Sequence, residues 1–408
     1  MARILAYTSP ARGHLFPLTP ILDELRRRGH DVSLRTLAAE VERMRERGFA
    51  AEPVDAAVEA IAHDDHGART PRGALLRSIG TFVARGERDG PELRDAIARE
   101  RADAVIVDVN SWGAMAAAEA WGGPWAMFCP YPLPLPSRDA PPFGPGLPPA
   151  RGPLGRLRDG LLRPVFWGTF ARATLPAVNE LRGANGLQPL GAAEELFTRP
   201  PLLIYMTAEP FEYPRSDWPE NVVMVGRCEW EPPAEAPEWL AGVERPIVLV
   251  TTSSEFQDDA RLVQSALDGL AGDELLVVAT LPAGEPDRIR APQNAIVERW
   301  IPHGPVLDRA ACAVTHGGMG ATQKALARGV PVCAVPFGRD QLEVARRVEV
   351  SGAGTRLAPR RLSPGRLAER VHEAMGRRDG ARRVADAFRA AGGPGAAADA
   401  LEERLRRA

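Results

Sequence analysis

Short apolar runs recur along the first half of the chain at residues 3–8, 31–36, 104–107, 125–129 and 202–206. Longer amphipathic stretches separate them. Between residues 17 and 28, Leu18, Ile21, Leu22 and Leu25 fall on one face of a helix, and Gly29 supplies a C-cap. The alternation predicts repeated βα units and a parallel sheet. Residues 130–153 are rich in Pro and Gly and predict irregular chain. A helix carrying arginines and large apolar side chains is expected over 154–175. Prolines cluster without periodicity between 210 and 237, as in an interdomain linker. The pattern then restarts, with strands expected at 247–252, 275–280, 295–298, 313–315 and 331–335. Helices are expected at 259–270 and 322–328. From Arg366 the tail reads as helix, interrupted near Gly392 and Gly395. The expected fold is α/β: two Rossmann-like, doubly wound domains, at 1–209 and 238–384, facing a cleft. A last helix, about 385–408, is expected to cross back onto the first domain.

Composition narrows the function classes. A chain of 408 residues is long for one core. Its 51 basic and 53 acidic residues leave a net charge of −2, which gives no field for nucleic acid. Cys129, Cys228, Cys312 and Cys333 lack CxxC spacing and read as reduced thiols. Neither a signal peptide nor an apolar stretch of spanning length stands out, so a cytoplasmic protein without stable membrane insertion is expected. Of all the basic residues, only Lys324 is a lysine.

Two segments carry candidate chemistry. In the first, Thr315-His316-Gly317-Gly318-Met319-Gly320-Ala321-Thr322 ends a strand and turns into a helix. Glycines let backbone N–H groups approach an anion, and the helix N-terminus adds about half a positive charge. His316 can add a donor. Trp300 and Ile301 precede this turn, and Asp340-Gln341 follows it. The second segment, Gly13-His14-Leu15-Phe16-Pro17, follows the first strand. A His in a first βα turn points into the cleft, with a pKa suited to a general base. By itself it is more often a cap or packing residue. Asp108 ends a strand, where by itself it reads as a helix N-cap. His63-Asp64-Asp65-His66 has ligand-like spacing but reads as a polar loop rather than a metal site. The arginines 156, 158 and 163 among Leu, Phe and Trp could lie on a membrane; a half-buried helix fits the lack of net positive charge better.

Taken together, these motifs resemble glycosyltransferase family 1, the inverting GT-B enzymes, and among them bacterial macrolide-type, natural-product glycosyltransferases. The resemblance implies a donor domain at 238–384 and an acceptor domain at 1–209. It implies that Trp300 and Ile301 lie at the base, although Trp300 could also be a half-buried core aromatic. Gly13, Ser253, Ser254 and the run His316, Gly317, Gly318, Met319, Gly320, Ala321 and Thr322 would lie at the diphosphate, and Asp340 and Gln341 at the sugar. His14 would be the base and Asp108 its partner. Trp112, Phe128, Tyr131, Phe82 and Phe166 are the expected acceptor-pocket residues. Expected partners are a nucleotide-sugar donor, TDP- or UDP-linked, and a hydrophobic small-molecule acceptor; no cofactor or metal is required, and the protein would be a monomer or homodimer. The chain departs from the family at Gly320, Ala321 and Lys324, where Asn, Ser and Glu are frequent. The family's Glu binds ribose hydroxyls, which an ammonium cannot do as an acceptor. Either Lys324 sits in solvent, or the donor is a thymidine diphosphate sugar without the 2′-hydroxyl. Rival readings are a nucleotide-sugar 2-epimerase of the same fold, a catalytically silent partner protein, and a membrane lipid-sugar transferase.

Overall fold

The computed structural model describes residues 1–63, 65, 67–68, 70–253 and 259–407. Two parallel sheets form. The first takes β1 (Arg3–Tyr7), β2 (Asp31–Thr36), β3 (Ala50–Pro53), β4 (Ala104–Asp108), β5 (Trp125–Cys129), β6 (Leu203–Tyr205) and β7 (Val222–Met224), in the order β3-β2-β1-β4-β5-β6-β7. The second takes β8 (Ile247–Thr251), β9 (Leu276–Thr280), β10 (Ala295–Glu298), β11 (Ala310–Thr315), β12 (Val332–Ala334) and β13 (Gly354–Arg356), in the order β10-β9-β8-β11-β12-β13. The central strands β1, β4, β5, β8 and β9 are apolar in sequence because helices cover both of their faces. Along β5, Met127 and Cys129 enter the core on one face while Phe128 enters the core on the other.

Several elements escaped the sequence pattern. β3, β7 and β13 are edge strands of three or four residues, too short to show a period. β7 lies inside the proline-rich stretch read as linker. The first helix spans Arg12–Arg27 and so begins before Pro17, taking Gly13 and His14 into its first turn. Its prolines at 17 and 20 forgo two internal hydrogen bonds. Helices Pro71–Glu100 and Gly152–Ala184 are longer than their sequence signals. At the C-terminus, the helix Arg378–Ala390 packs on the second domain through Ala381, Val384 and Phe388. Only the next helix, Gly393–Arg407, returns to the first domain, burying Ala397, Ala398 and Leu401 beside Leu15, Ile21 and Leu25.

Beside apolar packing of Phe211 on Phe388, the two sheets' domains meet through buried polar contacts. Arg347 donates to Glu212 at 2.8 and 3.0 Å and to Glu343 at 3.0 Å, all three side chains being inaccessible to solvent. Glu343 also accepts the N–H groups of Gly144 and Gly146, which lie in the Pro/Gly-rich loop. Gly146 has φ +59, and a Cβ there would sit 2.5 Å from the Leu342 carbonyl oxygen. Gln323 reaches the carbonyl of Met206 at 2.7 Å. The loop that sequence alone leaves shapeless is thus tied to the helix Gln341–Val350.

Candidate active site

Open parallel sheets bind ligands at the carboxyl ends of strands where the strand order reverses. In the first sheet that point lies between β1 and β4, and in the second between β8 and β11. His14, Asp108, the turn from His316 and Asp340 each flank one of these two points or the strand beside it, whereas Trp300 follows the edge strand β10.

On the first sheet, His14 Nδ1 lies 2.6 Å from Asp108 Oδ2. Asp108 is fully buried and accepts the Asn110 N–H at 2.9 Å and the Ser9 hydroxyl on its other oxygen. These contacts dispose of the N-cap alternative: the helix Trp112–Trp121 follows Ser111, and Asp108 bonds elsewhere. A carboxylate so held makes Nδ1 the protonated nitrogen and leaves the lone pair on Nε2. Asn110 and Tyr131 agree with that tautomer. The Tyr131 hydroxyl donates to Asn110 Oδ1 at 2.7 Å, so the amide nitrogen faces His14 Nε2 at 3.4 Å. The Tyr131 ring meets the imidazole edge at a centroid distance of 5.9 Å and packs against the cores of both domains. Asn110 carried no signal in sequence beyond its place two residues after Asp108.

On the second sheet, Gly317 adopts φ +83, and a Cβ on Gly318 would lie 2.3 Å from His316 Nε2. Gly318 then starts the helix Met319–Leu326 with no side-chain cap, so no capping side chain occupies the first-turn N–H groups. His316 is buried, and its Nδ1 has no hydrogen-bond partner. Burial pushes its pKa down to about 4, against a backbone contact with Thr251 that raises it. Burial therefore favours the neutral imidazole near neutral pH. Met319 and Thr322 turn inward; the Thr322 hydroxyl lies 3.2 Å from that of Thr315. Ser253 lies two residues past β8 and donates its N–H to Asp259 at 2.7 Å, whereas Ser254 lies outside the described residues.

Asp340 follows β12. Burial pushes its carboxyl up to about 6, with Arg339, His14 and Arg347 pulling it back only in part. The influence of His14 on Asp340 puts the two motifs in one cleft. Gln341 is buried and accepts the N–H groups of Phe337 and Gly338 at 2.8 and 3.1 Å, which fixes the loop carrying Asp340. Arg339, at φ +53, donates to Asp65 of the first domain at 2.8 and 2.9 Å. Sequence reasoning missed this bridge, since only the fold brings residues 65 and 339 together. His63, 3.0 Å from the Ser78 hydroxyl, packs on Phe82, which packs on Trp112. Asp64 and His66 lie outside the described residues; no cluster of three metal-ligating side chains occurs among the described residues.

Trp300 is 49% exposed and so leaves about half of its surface open, while Ile301 is buried. Two expectations change. Phe128 has no exposure and lies under the helix Arg12–Arg27, on the sheet face opposite Trp112, because strand side chains alternate. Lys324 is not in solvent: its ammonium sits 3.1 Å from Glu231, whose oxygens also accept the N–H groups of His303 and Gly304. Phe166 lies on the helix Gly152–Ala184 and is 36% exposed. All four cysteines are free and buried.

The chain resembles known proteins in sequence and in fold. The C-terminal domain profile described as erythromycin biosynthesis protein CIII-like matches residues 264–404. The chain is 35% identical over 382 residues to 4′-demethylrebeccamycin synthase of Lentzea aerocolonigenes, covering 89% of each chain. It is 34% identical over 241 residues to a PGL/p-HBAD biosynthesis rhamnosyltransferase of Mycobacterium bovis, covering 58% of this chain and 52% of that protein. Among solved structures, the calicheamicin glycosyltransferase CalG4 superposes with a TM-score of 0.77 at 22% identity, over 100% and 99% of the two chains. The glycosyltransferase VinC, solved in complex with DTDP, superposes at 0.73 and 20% identity over the whole of both chains.

Proposed function

The chain belongs to the natural-product glycosyltransferases of the GT-B fold, and from that premise we propose that it moves a hexose or deoxyhexose from a nucleoside diphosphate to a hydroxyl of an apolar small molecule, with inversion. The observation that carries the mechanism is the His14–Asp108 pair, which leaves the lone pair on Nε2 and lies near enough to Asp340 to help hold its carboxyl down.

His14 Nε2 removes the acceptor proton as the acceptor oxygen bonds to the anomeric carbon. The bond from that carbon to the diphosphate breaks with its electron pair on the phosphate oxygen. Asp108 stabilises the imidazolium that forms. The departing charge falls on the N–H groups at the start of the helix Met319–Leu326 and on His316, whose unpartnered Nδ1 suits a ligand contact. Asp340 in its ionised form accepts hydroxyls of the sugar. Trp300 offers an exposed ring for a base to stack on. The aromatic wall of Phe82, Trp112 and Tyr131 forms the acceptor side.

The preferred nucleotide is thymidine diphosphate, as bound in VinC. Lys324 supports this, since its ammonium is already committed to Glu231 and leaves no carboxylate at that helix position for a ribose 2′-hydroxyl. Turnover of UDP-glucose as fast as TDP-glucose removes that preference. The helix terminus and imidazole supply the stabilisation a divalent ion would otherwise give, so transfer is expected to continue in EDTA.

The deciding experiment incubates the purified protein with TDP- and UDP-sugars and mixed aglycones, read by mass spectrometry. His14→Ala is expected to lower kcat by about 10²–10⁴ while leaving TDP affinity unchanged by calorimetry. Full transfer by that variant defeats the base assignment. A wild-type protein that epimerises the sugar without any acceptor defeats the transferase reading.

A further inference from the structure

The helix Gly152–Ala184 is built the wrong way round for a packing element. Leu154, Leu157, Leu161 and Val165 recur at spacings of three and four, so they share one face. That face points outward: the four are 82%, 59%, 64% and 58% exposed, and Phe166 beside them 36%. Only Asp159 is buried in the N-terminal half of the helix; the other buried positions, Thr174, Val178, Leu181 and Arg182, lie in the second half. The stripe runs about 17 Å along the helix. Exposed leucines scattered singly need no explanation, but a stripe of them marks an interaction surface.

Charge identifies the partner. Between residues 151 and 172 lie Arg151, Arg156, Arg158, Arg163 and Arg172, against one acid, Asp159. Asp159 is consumed by Arg158 at 2.7 Å. This segment is therefore strongly positive in a chain whose net charge is −2. A second copy of the chain would bring like charge against like charge. The stripe is also a convex ridge on one helix rather than a groove, so it suits a deformable apolar medium better than a shaped protein pocket. Apolar side chains flanked by arginines on one exposed helix are the signature of a helix lying in a lipid interface. No helix among the described residues is long and apolar enough to cross a membrane, so the contact is peripheral.

We propose that the N-terminal half of the helix Gly152–Ala184 docks the protein onto an anionic lipid surface, with Leu154, Leu157, Leu161 and Val165 entering the headgroup layer and the arginines meeting lipid phosphates. The proposal is independent of which sugar or acceptor the cleft takes.

The test is vesicle co-sedimentation of the full-length protein, with phosphatidylcholine alone and with added phosphatidylglycerol. Wild type is expected to sediment with the anionic vesicles, to bind the neutral ones more weakly and to release in high salt. The double variant Leu157→Glu/Leu161→Glu changes only exposed side chains and is expected to bind anionic vesicles about tenfold more weakly or worse. Its circular dichroism and its turnover of a soluble acceptor should match wild type. Wild type that stays in the supernatant overturns the proposal, as does a variant that binds as well as wild type. A wild-type dimer by light scattering that the variant dissolves assigns the stripe to a self-interface and likewise overturns it.

Discussion

Asp340 holds a carboxyl where burial disfavours its charge, and that has consequences for pH. Its carboxyl is pushed up to about 6, so near neutral pH it is ionised but poorly solvated. Hydroxyls of a bound sugar would supply the missing donors. In the proposed reaction the protonated form cannot accept them, so kcat/KM for the donor is expected to fall as pH drops through about 6. The Asp340→Asn variant should lack that inflection; a profile that keeps it assigns the titration to another group. The free protein shows the opposite trend. Between the ordinary aspartate value and about 6, the folded state binds more protons than the unfolded state. Rising pH across that window therefore costs about 3 kcal/mol of stability, visible in urea titrations of the ligand-free protein. His316, pushed down to about 4, stays neutral throughout the useful range. Gly318 illustrates the other residue-scale constraint, since any side chain there meets the imidazole ring.

Short elements place these residues. The loop after β12 is held from below by Gln341 and from across the cleft by Asp65 through Arg339. Arg339 is one of two residues other than glycine at positive φ among the described residues, a conformation that needs surroundings to hold it. If the Asp65 clamp fixes Asp340, then Asp65→Asn should raise the donor KM up to about tenfold with a smaller change in kcat. Asp65→Glu should recover part of the loss. Steady-state kinetics with donor varied decide this, and an unchanged KM in Asp65→Asn rejects the coupling. The sequence marked residues 340 and 341 through their motif. It marked residue 65 only within a polar loop and could not pair it with Arg339, 274 positions away along the chain.

Across the whole molecule, buried charge as well as apolar surface joins the domains. Burial alone would raise Glu212, yet Arg347 and Arg215 hold it down to about 2. Removing Arg347 leaves Glu343 buried without its cation and Glu212 with Arg215 alone. Arg347→Met is expected to lose about 3–5 kcal/mol in urea unfolding. A loss below about 1 kcal/mol would show that water enters the interface and replaces the guanidinium. The apolar runs alone determined that the chain forms two parallel α/β sheets, because strand and helix periods are local properties. The motifs marked His14, Asp108 and the turn from His316 to Gly320 because strand-to-helix turns of this kind are contiguous in the chain. Only the tertiary structure decided that Phe128 faces away from the cleft, that Lys324 is paired with Glu231, and that Asn110 and Tyr131 fix the imidazole. It alone also turned the leucines of the helix Gly152–Ala184 outward, where the sequence reading expected a half-buried helix. Each of these depends on which face of an element is covered, and that is set by neighbours distant in sequence.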